Sequence, residues 1–332
     1  MGEQMQRNLG FELVRVTEAA ALACARWMGR GDKNAADQAA VTAMRYVLDS
    51  VDLDGVVVIG EGIKDQAPML YIGERVGTGM PPQVDVAVDP IDGTRLLSQG
   101  LPNALAVVAI AERGSLYHTD LVYMNKIAVG PAARGAIDIS APVAVNLQNV
   151  ARAKGYQVQD LSVAVLDRPR HESLIREIRH AGARIKLILD GDVAGAIMAA
   201  SEGTGVDMLM GVGGAPEAVV SACALKCLGG EMQCQLWPRD DAERELARQQ
   251  GLDLGHVLTV AELARSDDVF FAATGITDGE LLRGVRYFAR GAKTHSLGMR
   301  SRSGTVRFVE ATHNFAKLMT ISSLPYESAV VP

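Results

Sequence analysis

Apolar residues recur at helical spacing in the first fifty positions and then gather into short runs. Leu13, Val16, Ala20 and Ala23 mark one face of a helix over residues 11–28, and Gly29 supplies its stop. AADQAAVTAMRYVLDS (35–50) predicts a second helix, capped by Asp32 or Asn34. Strands are expected at VVVIG (56–60), VDVAV (84–88), ALAVVAIAE (104–112) and SLYHTDLVYM (from 115). The Arg113-Gly114 turn between the last two predicts an antiparallel hairpin. The first half thus reads as two helices against a largely antiparallel sheet.

Residues 151–161, ARAKGYQVQDL, are polar and place a boundary near 158. Two domains follow, 1–158 and 159–332. Beyond the boundary the pattern becomes strand, turn, helix: LSVAVLD, ARIKLILD and VDMLMGVGG each precede a helical stretch. Three such units in series predict a parallel sheet with helices on its faces. RDDAERELARQQ (239–250) reads as a solvated helix, DDVFFAATGIT as another strand, and residues 284–312 as an antiparallel ribbon. The fold class is α/β.

Composition narrows the function. With 33 basic and 39 acidic residues the net charge is -6, which disfavours nucleic acid or an anionic membrane as partner. No run approaches the ~18 apolar residues of a spanning helix, and MGEQMQRNLG has no apolar signal core. Cys24, Cys223, Cys227 and Cys234 lack zinc-site spacing and read as reduced core thiols. A cytoplasmic location is expected.

The chemistry gathers where predicted strands end. In VDVAVDPIDGT, Asp89 and Asp92 follow the strand, Pro90 is expected to stop the ladder, and Gly93 permits a tight turn. Two close carboxylates repel unless a cation lies between them, so Mg²⁺ or Mn²⁺ is the economical occupant; an Asp-Gly turn capping the next segment is the plain alternative. GEGIKDQAP sets Glu61 and Asp65 after another strand, where an acidic surface loop is the alternative. GDKNAADQ puts Lys33 and Asp37 four apart, on one helical face, as a site pair or a surface pair. In the second half LDRPRH offers Arg168 and Arg170 for phosphate, and LDGDVAG offers Asp190 and Asp192 for sugar hydroxyls. GVGGAPE is a glycine-rich turn into a helix, with Glu217 either at the helix dipole or on a metal. Its spacing is not that of a dinucleotide fingerprint.

DPIDGT resembles the metal signature of the lithium-sensitive sugar and inositol phosphatases. Together with GRGDKNAAD, VIGEGIKDQAPMLYIGE, YMNKIAVGP, DRPRH, DGDVAGAI, GVGGAPE and ARSDDVFFAATGITDGELL, it makes the chain similar to the class II fructose-1,6-bisphosphatases of bacteria. The resemblance implies a layered α/β/α/β/α fold and Mg²⁺- or Mn²⁺-dependent removal of the 1-phosphate of fructose 1,6-bisphosphate, a gluconeogenic step. It implies metal ligands at Asp37, Glu61, Asp89, Asp92 and Glu217. Substrate contacts would come from Asp92, Gly93, Thr94, Tyr123, Arg168, Pro169, Arg170, Asp190, Gly191, Asp192 and Gly214. Many members of the family carry Glu where this chain has Asp92.

For the reaction itself, Thr94 would orient a water whose proton passes to Asp37 or Asp65, with Lys33 balancing charge. A homo-oligomer, dimer or tetramer, is expected. The rival substrates are sedoheptulose 1,7-bisphosphate and an inositol monophosphate. The Arg168/Arg170 pair favours a bisphosphate, and the intact set of polar groups argues against a non-catalytic sugar-phosphate sensor.

Overall fold

In a computed structural model of the chain, the described residues are 8–62, 69–320 and 324. The chain begins with α1 (Leu9–Cys24), α2 (Lys33–Leu48), β1 (Asp54–Ile59), β2 (Arg75–Val76), β3 (Gln83–Asp92), α3 (Thr94–Gln99) and β4 (Leu105–Glu112). It continues with β5 (Tyr123–Val129), α4 (Val143–Lys154), β6 (Ser162–Leu166), α5 (Glu172–His180), β7 (Arg184–Ile188) and α6 (Asp192–Ala200). Next come β8 (Met208–Gly214), α7 (Ala215–Leu228), β9 (Glu231–Leu236), α8 (Asp241–Gln249), β10 (Leu258–Thr259) and α9 (Val260–Leu263). The last elements are β11 (Phe270–Gly275), β12 (Arg286–Phe288), β13 (Gly291–Arg300), β14 (Thr305–Asn314) and α10 (Phe315–Leu318).

These elements form two compact units, residues 1–114 with 268–332, and residues 115–267. Each has its own mixed sheet. The first has the order β12-β13-β11-β4-β3-β1-β2 with β14 on β13, and the second β10-β9-β5-β8-β6-β7. The division differs from the expected single boundary at 158. The polar stretch 151–161 turns out to be the end of α4 and a short 3-10 turn inside the second unit, while β11 returns to pair with β4 in the first.

In the first unit β3 and β4 are antiparallel, β1 and β3 parallel, and β11 flanks β4 on its other edge. β4 is apolar and buried along all but its last residue, as a strand covered on both faces must be. The hairpin expected across Arg113-Gly114 is not formed. Both edges of β4 are already taken by β3 and β11, so residues after Gly114 cannot add there. The chain instead crosses to the second unit, where Tyr117 N donates to Leu263 O and Arg265 N to Ser115 O, both at 2.9 Å.

Pro90 does not end its strand. β3 shifts register between Asp89 and Asp92 and resumes pairing at Asp92 with Leu105, so the residue without an N–H sits in a bulge. In the second unit β6 pairs parallel with both β7 and β8, as the strand-turn-helix repeat predicts. β5 is inserted antiparallel between β8 and β9. Its core joins Ile127 and Val129 of β5 with Leu147 of α4, Val163 and Val165 of β6, and Ile178 of α5. All four cysteines are buried thiols. No helix among the described residues is long and apolar enough to cross a membrane.

Candidate active site

In the first unit the chemistry lies at one end of two neighbouring strands. β1 and β3 run parallel with Ile59 opposite Ala87, so Glu61 and Asp89, each two residues further on, leave the sheet at the same end. Glu61 N is held by Leu70 O at 2.9 Å. Asp89 is half-buried and its Oδ1 accepts from Ile91 N at 3.0 Å, an Asx turn that closes the bulge. Asp92 is buried, and Gly93 follows at φ 95°, a left-handed conformation in which a side chain would be strained. Thr94 then opens α3, its hydroxyl donating to Ile91 O at 3.2 Å.

The start of α2 is strapped to α3. Gly29 N donates to Leu97 O and Gly31 N to Ser98 O, each at 2.9 Å, and Asp32 caps α2 by accepting from Ala35 N at 2.9 Å. Lys33 is exposed in the first turn, and Asp37 one turn on is half-buried. Burial raises the Asp37 carboxyl above its ordinary pKa. Asp65 lies outside the described residues.

In the second unit the parallel strands β7, β6 and β8 bring three loops to one edge, at their C-terminal ends. This is where open α/β sheets bind ligands. The antiparallel β5 adds Tyr123, paired with Gly214. Arg168 donates through Nη1 to Leu189 O (2.6 Å) and through Nη2 to Asp190 Oδ1 (3.3 Å). Arg170 donates through Nε and Nη2 to Val212 O and lies 4.8 Å over the Tyr123 ring. Further N–H donors remain on each guanidinium for an anion. Pro169 opens the 3-10 turn between them, and Gly191, left-handed at φ 78°, starts α6.

Two residues the sequence reading passed over hold this edge together. His171 is buried, with Nδ1 2.7 Å from Leu166 O and Nε2 accepting from Val212 N at 2.7 Å, so it links the ends of β6 and β8. Lys126, inside the otherwise apolar run of β5, is 2% exposed and its Nζ lies 2.7 Å from Asp192 Oδ2. A charged residue within MNKIAV was the available signal. Asp192, expected to face sugar hydroxyls, forms a buried ion pair.

Glu217 sits in the first turn of α7 with its Oε2 buried and without a hydrogen-bond partner among the described residues. Burial raises its pKa most, Asp192 adds to that, and Lys126 opposes it. Among the described residues no group of three or more His, Cys, Asp or Glu is close enough together to hold a metal ion. The donor set nevertheless suits one. Glu61, Asp89 and Asp92 are hard oxygen donors at one sheet end of the first unit, and within the second unit Glu217 Oε2 is, taken by itself, a buried acceptor without a partner among the described residues.

Comparison with known proteins gives matches along most of the chain. Residues 7–313 match the family described as bacterial fructose-1,6-bisphosphatase, glpX-encoded. The "Fructose-1,6-bisphosphatase 1 class 2" of Escherichia coli K12 is 48% identical over 322 residues, 93% of this chain and 96% of that protein. The "Fructose-1,6-bisphosphatase class 2" of Shigella flexneri matches with the same identity and coverage.

Proposed function

The chain belongs to the glpX-encoded bacterial fructose-1,6-bisphosphatase family, and from that premise we propose that it removes the 1-phosphate of fructose 1,6-bisphosphate, releasing fructose 6-phosphate and inorganic phosphate. The observation that carries this reading is the strand-end turn of β3: Asp89, buried Asp92 and Thr94 at the start of α3, beside Glu61 on the adjacent parallel strand.

Asp37, Glu61, Asp89, Asp92 and Glu217 would hold Mg²⁺ or Mn²⁺. Such an ion, when bound, neutralises phosphate oxygens and lowers the pKa of water. The chain's own groups do the positioning. Thr94 orients the attacking water with its hydroxyl, and the proton passes to Asp37 or Asp65. Asp37 is favoured because its helix is strapped to the one that Thr94 opens. Lys33, exposed in the first turn of α2, balances the charge of the acidic set.

Arg168 and Arg170, flanking Pro169, are suited to the phosphate that does not react, and forked guanidinium contacts would fix the sugar's register. Gly93, Tyr123, Asp190, Gly191, Asp192 and Gly214 would complete the contacts to substrate. A second phosphate gives this arginine pair its use, so a bisphosphate suits it better than a monophosphate.

Phosphate release from fructose 1,6-bisphosphate, sedoheptulose 1,7-bisphosphate and inositol monophosphate, with chelator and after adding back each metal, tests the reading. Fructose 1,6-bisphosphate is expected to give the highest kcat/KM and to lose turnover with chelator. Comparable turnover of the seven-carbon substrate would make the enzyme dual-specific. Turnover of the inositol ester alone, or of nothing, would end the proposal.

A further inference from the structure

We propose that Lys126 is a substrate-positioning residue, whose buried ammonium fixes the Asp192 carboxylate in the orientation that receives the sugar. The inference rests on the sugar-bisphosphatase reading and adds to it a residue from the centre of a strand.

Lys126 is among the largest fully buried side chains of the protein, on a strand whose next three residues are buried and apolar. An ammonium in that position is strongly disfavoured unless an anion meets it. It is met by Asp192 Oδ2 at 2.7 Å, with side chains 1% and 7% exposed. One carboxylate oxygen is thereby pinned, and the second keeps a fixed direction. The thiol of Cys234, paired across the sheet from Lys126, offers no competing charge, because burial pushes it up to about 12 and keeps it neutral.

The surrounding backbone is cut to fit this pair. A Cβ at Gly213 would stand 1.8 Å from Asp192 Oδ2 and 3.0 Å from Lys126 Nζ. One residue on, a Cβ at Gly214 would stand 1.7 Å from Glu217 Oε2. Gly213 and Gly214, the last two residues of GVGG, therefore make room for carboxylates delivered by α6 and α7, and Lys126 is the cation set against them. Without it, two acidic groups would lie close together in a buried place and lose the cation that opposes their repulsion.

A lysine that only filled the core would be replaceable by methionine, of similar length and no charge, without effect on substrate binding. A positioning lysine would not. The test measures kcat and KM for fructose 1,6-bisphosphate, with thermal unfolding, for wild type, Lys126→Met, Asp192→Asn and the double variant.

Wild-type turnover comes first: its absence would remove the function reading and leave the Lys126–Asp192 geometry as it stands. Given turnover, Lys126→Met is expected to raise KM about tenfold or more, with a smaller change in kcat. The double variant should show the KM of Asp192→Asn alone, because Lys126 acts through Asp192. Lys126→Met leaves a buried carboxylate unpaired, so its fold is the one at risk. If it unfolds, the comparison of Asp192→Asn with the double variant decides. Equal KM values support the proposal. A folded Lys126→Met with unchanged KM, or a further rise in KM in the double variant, overturns it.

Discussion

Asp89, Asp92 and Thr94 were readable from six letters because their reason is local. A strand must end, a proline lacks a donor, and a glycine must turn, so DPIDGT announces polar groups at a sheet edge with no knowledge of the rest of the chain. Lys126 announced itself only as a charge inside an apolar run, and its role was not readable, since its reason is a partner 66 positions away and a glycine that leaves space for both. Thr94 offers the sharpest residue-scale prediction. Its hydroxyl is the group proposed to aim the water, whereas its bond to Ile91 O is a single neutral contact of about 1 kcal/mol. Thr94→Ala is therefore expected to lower kcat by about 10² or more while thermal stability changes little, and Thr94→Ser should retain most of the rate. Steady-state kinetics beside a melting curve will show it. An alanine variant with near-normal kcat would remove Thr94 from the mechanism.

At the level of elements, helices α1 and α2 and the parallel trio β7-β6-β8 follow the periodicity of the chain. Pairing partners do not, because a strand's neighbours depend on which edges remain open. The hairpin expected after Gly114 failed for that reason, and Pro90 survived inside β3 because a bulge absorbs it. Beyond their shared ladder, the link between the ends of β6 and β8 is likewise a tertiary matter, made by His171. Its two bonds need the neutral ring, with Nδ1–H donated to Leu166 O and Nε2 accepting from Val212 N. Burial, reinforced by the charges of Arg170 and Arg168, lowers its pKa below the ordinary 6.5. A lowered native pKa means that the unfolded chain takes up the proton first as pH falls. The stability His171 contributes is thus complete above about 6.5 and is lost as pH drops through the native value. Urea midpoints measured downward from neutrality should fall in the wild type and fall less steeply in His171→Gln. Parallel slopes in the two proteins would dismiss the role.

The domain plan is where the sequence misled most, and the cause is physical. A polar stretch at 151–161 resembles a linker, but polarity also marks the exposed end of a helix such as α4, and no local pattern tells that residues 268–332 return to complete the first sheet. The two divisions predict different fragments. Residues 115–267 contain every strand of the second sheet and the core of α4, β5, β6 and α5. Their ends are already joined by the Tyr117–Leu263 and Ser115–Arg265 hydrogen bonds. Residues 1–158 would instead carry β5 and α4 without their partners. They would also open the edge of β4 that β11 covers, an apolar strand buried at all but one position. Exposed apolar edges pair with other chains. Expressed separately, 115–267 should unfold cooperatively in urea and show dispersed amide resonances, whereas 1–158 should aggregate. A monomeric, cooperative 1–158 beside an unfolded 115–267 would restore the boundary at 158. It would also mean that the hydrogen bonds closing the ends of the second unit contribute little to its independence.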